Sequence, residues 1–557
     1  MKPADPVSRR ELWLLGSILL AFCLLAATLA LPAEEDAFIY YRYAWNWAHG
    51  QGLAFNAGDP VEGFSGPLWM GILALVAGAG FDLPRTATLL GLLCGAAALA
   101  ATWALGRAAG LESSGRLAGV ACVALSYPFI VWSRSGLETP FYSLAIVVTA
   151  AAYLAAEYPL DQPALDPQAD RRWPRRIAAV TPVFVCLGRP EGAMLVVVMV
   201  ADRLLARDFR GALRYGAPAA VGYGGYLVWR FLTFHSLVPN TSVKLYPLLI
   251  ERSGGQFLDY LLLLGVLPLL LPVLAMRNAG AERRRLGFLA AVVCLVSFLF
   301  NFLAGGDYRP GFRYFIPTLP VLMVAVWCAA GLLRPLSSRP ARAILLALLL
   351  SGSLIRLGKN PPHFLDWRRE VYETWRDPST NVDDWGIRIA RWIEGHVPER
   401  GVVAFGQMGR VPYYLAHDGH EVRFVDTLGL VDREVARIYR FDGKIRDLLR
   451  DIRAGHSPRE ALELGRQRRA QQFARTVLAK QPDCVLIEAA LNDYPMMRAL
   501  QENPEFRTAY HPSGQLPLAG LPYVRIYMPR GPHSPTPLSQ PSARPGRGER
   551  GLKTVPR

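Results

Sequence analysis

The sequence predicts a polytopic α-helical membrane protein of about eleven transmembrane helices with a small C-terminal α/β domain. The 557 residues are 52% hydrophobic, and the mean hydropathy is +0.19. This is more apolar than a soluble domain of this size requires. The excess lies in nearly uncharged runs that approach the roughly 20 residues needed to span a bilayer core. These runs are residues 12–31, 86–104, 261–274, 286–303 and 343–354.

The charge distribution supports membrane insertion over nucleic-acid binding. The net charge is +16, but the basic residues lie in short clusters between apolar runs and not on one basic face. Such clusters are typical of cytoplasmic loops that contact membrane lipid. The clusters are Arg9-Arg10, Arg171-Arg172, Arg175-Arg176 and Arg283-Arg284-Arg285.

Three regions follow from the pattern along the chain. Residues 1–357 form the transmembrane module, with a first extracytoplasmic loop at 34–66. Residues 358–529 form a soluble extracytoplasmic α/β domain, because short β-branched runs alternate there with helical stretches. Those runs are residues 402–405, 422–425, 484–487 and 523–527. Residues 530–557, rich in Pro, Ser, Gly and Arg, are predicted to be a disordered basic tail.

The positive-inside rule constrains the topology. If residues 68–81 crossed the membrane fully, the arginines at 171–176 would lie outside. We therefore expect residues 68–81 to lie along the outer interface or to re-enter, and residues 177–200 to be broken at Gly188–Gly192 into two short crossings. The polar motifs then share the outer side of a multi-pass inner or plasma membrane protein.

An acidic cluster directly follows the first helix. Glu34, Glu35 and Asp36 precede an aromatic-rich run that ends at Tyr43. A single acid at a membrane surface is usually a solvated loop charge. A carboxylate beside apolar and aromatic groups, however, has a raised pKa and can act as a base. The cluster is therefore a candidate catalytic site.

This loop resembles that of a known superfamily. The segments are Asp36-Ala-Phe-Ile-Tyr-Tyr-Arg-Tyr, Gly50-Gln-Gly-Leu-Ala-Phe-Asn56 and Val61-Glu-Gly-Phe-Ser-Gly-Pro-Leu-Trp69. They are similar to the first extracytoplasmic loop of the GT-C glycosyltransferases, most of all to the family of the mycobacterial terminal β-(1→2)-arabinofuranosyltransferase. Similar segments follow in the same order at 135–139, 188–192, 239–244, 305–313 and 426–432.

The resemblance implies a GT-C-like fold and an inverting sugar transfer. The donor would be a polyprenyl-phosphate sugar, with arabinofuranose as one candidate, and the acceptor an extracytoplasmic glycan or glycolipid. Asp36 matches the functional acid of the family and would be the general base, with Glu35 as the fallback.

Positively charged side chains must stabilise the negative charge of the departing phosphate. Four outward-facing cations are candidates: Arg189, Arg313, Arg42 and Lys244. We favour Arg189 and Arg313, because arginine suits bidentate phosphate contacts. The alternative for Arg189 is a buried partner for Glu191 or Glu138, and the alternative for Arg313 is an interface anchor.

Four further residues are candidates for substrate binding: Asp307, Glu138, Glu191 and Asn240. Together with Asp36, the three acids could ligate a hard divalent cation, although their spacing matches no metal motif. No cofactor is certain. The alternative for Asp307 is a solvated acid at a helix C-cap.

Other functions fit the sequence less well. A secondary transporter usually has two repeated halves, and no repeat is visible. A non-catalytic scaffold would not need the paired acids and arginines. The runner-up is a GT-C transferase that modifies lipid A, lipopolysaccharide or protein.

Overall fold

The computed structural model describes most of the chain. The described residues are 7–28, 33–158, 169–244, 254–255, 257–261, 267–277, 283–306, 312–336, 338–358, 383–488, 494–518 and 521–531.

The first part of the chain is helical. Its helices as far as Phe234 are α1 (Arg9–Thr28), α2 (Glu35–Ala48), α3 (Pro67–Gly78), α4 (Leu83–Ala108), α5 (Ser113–Ala124), α6 (Tyr127–Arg134), α7 (Thr139–Glu157), α8 (Ala169–Gly188), α9 (Ala193–Leu205) and α10 (Phe209–Phe234). Those that follow are α11 (Leu267–Ala275), α12 (Arg283–Val293), α13 (Phe300–Ala304), α14 (Leu319–Leu332) and α15 (Arg339–Gly358). A π-helical turn, Cys294–Leu299, joins α12 to α13.

Four of these helices are long and apolar enough to cross a membrane: Arg9–Ala27, Leu83–Ala108, Thr139–Glu157 and Arg283–Ala304. The bent pair α5 and α6, with an angle of 61°, would make a fifth. These are fewer than the eleven crossings expected. The expectation counted apolar runs, whereas α8 begins with four arginines and contains Pro174 and Pro182, and parts of 245–282 lie outside the described residues.

The break expected at Gly188–Gly192 is present. Helix α8 ends at Gly188, a short 3-10 turn spans Pro190–Gly192, and α9 begins at Ala193. A Cβ at position 192 would lie 2.3 Å from the carbonyl oxygen of Val185, so only glycine allows this tight return. Helix α3 has 12 residues, about 18 Å at 1.5 Å per residue, which is too short to cross the bilayer core alone.

The C-terminal region, residues 383–531, is called the cap below. Its helices are α16 (Asp383–His396), α17 (Arg410–His417), α18 (Arg433–Tyr439), α19 (Phe441–Arg453), α20 (Pro458–Ala479), α21 (Pro495–Glu502) and α22 (Pro504–Ala509). Its strands are β1 (Val402–Phe405), β2 (Arg423–Asp426), β3 (Cys484–Glu488), β4 (Tyr510–Leu518) and β5 (Leu521–Pro529).

The five strands form one mixed sheet in the order β2-β1-β3-β5-β4. Strand β1 pairs in parallel with β2 and β3, and Val403 lies opposite both Phe424 and Cys484. Strand β5 is antiparallel to β3 and β4. The four strands with β-branched runs lie close to the predicted positions. Strand β4 had no such signal, because it contains two prolines and a glycine, which are tolerated at a sheet edge.

The cap packs directly against the first loop. Helix α17 lies against α2, and the ring of Phe38 is 5.6 Å from that of Tyr413. The Asn56 amide exchanges two hydrogen bonds with the backbone of Phe424 in strand β2, at 2.8 and 2.9 Å. The side chain of Asn56 in the first loop thus pairs with the backbone of strand β2. Together with the contact between α17 and α2, this pairing places the cap over the start of α2.

Candidate functional site

An open cleft with a cavity volume of about 200 Å³ lies between the bundle and the cap. Its walls come from the first turns of α2, the end of the first loop, the turn between α6 and α7, the break between α8 and α9, and the cap. The lining residues are Asp36, Ile39, Tyr40, Gly63, Phe64, Ser65, Leu137, Glu138, Arg189, Pro190, Glu191, Val238, Pro239, Thr241, Ser242, Phe300, Arg313, Tyr314 and Leu430.

Asp36 and Arg313 form an ion pair in this cleft. Their Oδ2 and Nη1 atoms are 3.4 Å apart, and both side chains are largely buried, with exposed fractions of 13% and 10%. Asp36 lies in the first turn of α2, where the helix dipole stabilises negative charge. The guanidinium of Arg313 lies 5.9 Å from the ring of Trp132 and 5.7 Å from that of Tyr314. The aromatic rings therefore hold the cation beside the acid.

Arg189 lies between two carboxylates. Its Nη1 donates to Oε1 of Glu138 at 2.7 Å, and its Nε donates to Oε1 of Glu191. The sequence left open which acid pairs with Arg189, and in the structure both do. Oε2 of Glu138 has no hydrogen-bond partner among the described residues. The Tyr314 ring lies 5.5 Å from the guanidinium of Arg189, so this ring contacts both cleft arginines.

Glycines bring the first loop close to the bundle. A Cβ at Gly66 would lie 2.7 Å from the carbonyl oxygen of Gly188, and a Cβ at Gly136 would lie 2.0 Å from the hydroxyl of Tyr41. Gly136 also has a positive φ of 79°. The Tyr40 hydroxyl accepts a hydrogen bond from the amide of Gly66 at 2.9 Å. These contacts pin the loop against the break between α8 and α9, and so place Asp36 near Arg189.

Glu35, the fallback base, is not among the described residues that line the cleft. Its Oε1 accepts hydrogen bonds from the amides of Gly409 and Arg410 at 2.9 and 3.0 Å. Its Oε2 lies 3.3 Å from Nε of Arg410. The carboxylate is therefore turned toward the cap, and this arrangement does not support Glu35 as the base.

Arg42 also lies elsewhere. It is buried, donating from Nη1 to the carbonyl of Pro412 at 2.7 Å and from Nε to that of Phe55 at 3.3 Å. Burial lowers the pKa of Arg42 to about 10. Six residues of helix after Asp36 rotate a side chain by about 240°, onto another face. The geometry therefore gives Arg42 a structural role between loop and cap, and no contact with the cleft.

Asn240 binds the cap backbone. Its Nδ2 donates to the carbonyls of Gly429 and Leu430 at 2.8 and 3.0 Å. Asn240 therefore does not line the cleft. It binds the backbone of Leu430, and Leu430 lines the cleft. The side chain of Lys244, and all of Asp307, lie outside the described residues.

The cleft wall from the cap was not predicted from the sequence. The carboxylate of Asp426 accepts hydrogen bonds from the amides of Leu428 and Val431 at 2.8 and 2.9 Å. Gly429 between them has a φ of +79°, which favours glycine. Burial raises the pKa of Asp426 to about 6. The resulting tight loop carries Leu430 into the cleft. In the sequence, residues 426–432 stood out only as one of the segments of the family resemblance.

The aromatic lining was only partly foreseeable. Tyr40 is in the aromatic run after the acids, and Tyr314 directly follows Arg313. Most such residues in membrane proteins form interfacial belts, so their number alone did not single them out. As for a metal, the described residues contain no group of three or more His, Cys, Asp or Glu that could hold one.

The sequence comparisons identify part of the chain. A family model described as "Domain of unknown function (DUF8728)" matches residues 374–527, which include most of the cap. No curated protein matches the sequence.

Solved structures match over nearly the whole chain. The arabinofuranosyltransferase AftD from Mycobacteria has 14% sequence identity and a TM-score of 0.50, and the match covers 94% of this chain and 42% of AftD. ArnT from Cupriavidus metallidurans, bound to undecaprenyl phosphate, has 15% identity and a TM-score of 0.48, covering 93% and 98%. The Archaeoglobus fulgidus oligosaccharyltransferase, tethered to an acceptor peptide, has 11% identity and a TM-score of 0.49, covering 92% and 74%.

At these sequence identities a match supports the fold alone. Of the three TM-scores, that of AftD, 0.50, is high enough to support this conclusion. The chain therefore shares its fold with the matched part of AftD.

Proposed function

We propose that this protein of GT-C fold is a membrane glycosyltransferase that moves a sugar from a polyprenyl-phosphate donor to an extracytoplasmic glycan or glycolipid. One observation carries the proposal. A cleft lined by aromatic rings places an acid, Asp36, beside a cation, Arg313, next to a second arginine held by two acids. Sugar transfer from a lipid phosphate needs a base for the acceptor and positive charge for the leaving group.

The chemistry balances with these groups. Asp36 takes the proton from an acceptor hydroxyl while the hydroxyl oxygen forms a bond to the anomeric carbon. On the opposite face, the bond from that carbon to the phosphate oxygen breaks, and the electron pair leaves with polyprenyl phosphate. A single displacement of this kind inverts the anomeric configuration. The leaving group carries the new negative charge, which a nearby guanidinium stabilises.

Arg313 is the better phosphate ligand of the two arginines. Arg189 contacts two carboxylates, one at 2.7 Å, so the protein already compensates its charge. Arg313 lies in the same cleft beside the proposed base, with its Nη1 3.4 Å from Asp36 and its guanidinium 5.7 Å from the ring of Tyr314. We assign the leaving phosphate to Arg313. Arg189 instead holds Glu138 and Glu191 in the wall of the cleft.

The finer identity rests on the sequence resemblance. The motifs of the first loop and the later segments resemble the terminal arabinofuranosyltransferase family, which makes arabinofuranose the first donor sugar to test. We place the cleft and the cap on the extracytoplasmic side. This orientation is supported by Arg175, Arg203 and Arg214, which gather around Glu157 at the end of α7 far from Glu138, because arginine clusters mark cytoplasmic ends.

The test is a transfer assay. Membranes from cells with and without the protein receive polyprenyl-phosphate donors carrying different radiolabelled sugars, arabinofuranose among them. We expect label to move from the lipid to the glycan or glycolipid fraction only when the protein is present, with inverted anomeric configuration in the product. An exposed acid of the cap offers a matched control: Asp418→Asn, whose side chain is 60% exposed, should transfer as well as wild type. Failure of every donor to lose label would contradict the proposal.

A further inference from the structure

The cap holds α2 at the edge where α/β domains usually bind ligands. Strands β1, β2 and β3 run parallel, and ligands of such sheets lie beyond the carboxyl ends of the strands, often with an anion at a helix N-terminus. Helix α17 begins just after β1, and its first amides are those of Gly409 and Arg410. The anion at this N-terminus is the carboxylate of Glu35, which belongs to the same chain.

The side chain of Arg410 also contacts the start of α2. Its side chain is 2% exposed, and its Nη2 donates to the carbonyl of Ala33 at 2.7 Å. Its Nε lies 3.3 Å from Glu35, and its guanidinium lies 5.0 Å from the ring of Phe38. One buried cation thus contacts the backbone before α2, the first residue of α2, and an aromatic ring one turn later.

The close approach requires glycine in the cap. A Cβ at Gly409 would lie 2.2 Å from the carbonyl oxygen of Glu35 and 2.5 Å from its Oε1. The carbonyl of Pro412 further anchors α2 by accepting from Arg42. The contacts at Gly409 and Arg410 therefore fix both the backbone and the side chain of the residue that precedes Asp36.

We propose that Glu35 and Arg410 are positioning residues, through which the cap sets the direction of Asp36 in the cleft. The proposal rests on the proposed function for its activity readout. Consecutive helical side chains point about 100° apart, so holding Glu35 toward the cap turns Asp36 toward Arg313. Loss of the contacts with Gly409 and Arg410 lets the first turn of α2 rotate or fray, because a terminal turn has few helical hydrogen bonds of its own.

The central test uses Glu35→Gln, which keeps an acceptor for the amides of Gly409 and Arg410 but removes the charge that pairs with the guanidinium. Misplacement of a reacting group by about 1 Å can cost about 100-fold in rate. We expect kcat to fall roughly 10- to 100-fold, with the donor KM within about twofold of wild type and the cap as resistant to protease as before. Arg410→Met should cause a similar fall, and the double variant should be no slower than the worse single variant.

The matched control is Glu421→Gln. Glu421 also joins the cap to the first loop, by accepting from Gln51 at 2.6 Å, but it does not contact the start of α2. We expect its kcat to equal that of wild type. An unchanged kcat in Glu35→Gln would overturn the proposal. So would a fall in kcat that matches, variant by variant, a loss of protease resistance of the cap.

A second readout does not need the reaction. In an Asp36→Cys variant, the rate at which a small charged thiol reagent modifies the introduced thiol reports the direction of that side chain in the cleft. The same protein without this substitution gives the background rate of modification. We expect Glu35→Gln in this background to change the rate several-fold, and Glu421→Gln to leave it unchanged. If no donor transfers its sugar but this rate still depends on Glu35, the proposed function fails and the positioning role stands. If transfer occurs and the rate is insensitive to Glu35, the positioning role fails alone.

Discussion

Two buried networks of arginine and carboxylate lie at opposite ends of α7, and one of them lines the cleft between the bundle and the cap. The cleft network consists of Arg189, Glu138 and Glu191, with the Asp36 and Arg313 pair beside it. The Arg203 network consists of Arg203, Asp202 and Glu157 together with three tyrosines. Helix α7 has 19 residues, so the two networks are about 28 Å apart.

The networks differ in how their polar atoms are satisfied. In the Arg203 network, tyrosine hydroxyls complete the hydrogen bonding. Tyr158 donates to Asp202 at 2.6 Å, Arg203 donates to Tyr153 at 2.9 Å, and Tyr215 donates to Glu157. In the cleft network, Oε2 of Glu138 has no hydrogen-bond partner in the described part of the chain, and Glu138, Arg189 and Glu191 all line the cleft.

The comparison shows that burial and ion pairing do not identify a functional site by themselves. Both networks contain an arginine inside a membrane bundle, which is by default a functional hypothesis. The Arg203 network ties α7, α9 and α10 together and satisfies its own charges, as a structural clamp would. The cleft network has comparable pairing, but its three residues line the cleft. Mutations should therefore separate the two by activity and not by stability.

The largest expected effect is that of Asp36→Asn. The substitution keeps the volume and removes the base, so transfer should fall by about 10²- to 10⁴-fold, the usual contribution of general base catalysis. Expression and membrane insertion should be unchanged. The measurement is the initial rate of label transfer per mole of inserted protein. Wild-type turnover by this variant would eliminate Asp36 as the base and remove the main distinction between the networks.

Arg189→Met and Arg203→Met compare the networks directly. Each substitution removes the buried arginine that pairs with two carboxylates of its network, and breaking a buried ion pair costs about 3 to 5 kcal/mol of stability. Thermal unfolding in one detergent should show similar losses for both. The rate per folded molecule should fall only for Arg189→Met, because only that network lies in the cleft. Equal activity losses per folded molecule would show that the two networks do not differ in function.

Arg313→Ala tests the phosphate site within the cleft. Loss of a charged hydrogen bond costs about 1.5 to 3 kcal/mol, or roughly 10- to 150-fold. We expect this to appear in the kcat/KM for the donor, with little change for the acceptor. The control is Arg342→Ala, since Arg342 pairs at 3.0 Å with the exposed Glu112. If Arg313→Ala uses the donor as well as this control does, the leaving phosphate binds elsewhere.

The smallest effect concerns the cap loop that carries Leu430. Burial raises the pKa of Asp426 from 3.8 to about 6, so the folded state keeps its proton at pH values where the unfolded state has lost it. This contribution to stability is complete below pH 3.8 and is lost as the pH rises through 6.

Between pH 7 and 5, wild type should therefore gain about 1.4 kcal/mol from this group, a shift of a few degrees in Tm. Asp426→Asn does not titrate, so the Tm of wild type minus that of the variant should increase as the pH falls. A difference that is independent of pH would mean that Asp426 is not shifted in this way.

Much of the local structure was predictable. Apolar runs predicted α1, α4, the α12 to α13 segment and α15, and the glycines at 188 and 192 predicted the break after α8. Strands β1 and β3 followed from their β-branched residues. The expected eleven crossings are not confirmed, since four helices in the described part of the chain, or five with the bent pair, are long and apolar enough to cross a membrane. Strand β4 did not follow either, because sheet pairing overrides its poor local propensity.

The site was predictable only as a set of residues. The sequence named Asp36, Arg189, Arg313, Glu138 and Glu191, and all five line one cleft. It also named Glu35 and Arg42, which the fold turns toward the cap. Neighbours on a helix point in different directions, so a motif of adjacent acids does not tell which one faces the substrate.

By itself, the amino-acid sequence determined where most helices and strands form. The spacing of apolar residues, and the presence of β-branched residues, glycine and proline, act on the backbone over only a few residues. The sequence also determined which acids and cations were available near the membrane surface. Only the tertiary structure decided their partners: Asp36 with Arg313, Glu35 with Arg410, and Arg189 with both Glu138 and Glu191. The physical reason is distance along the chain. The first two pairs join residues 277 and 375 positions apart, and packing of the whole bundle and cap brings them together.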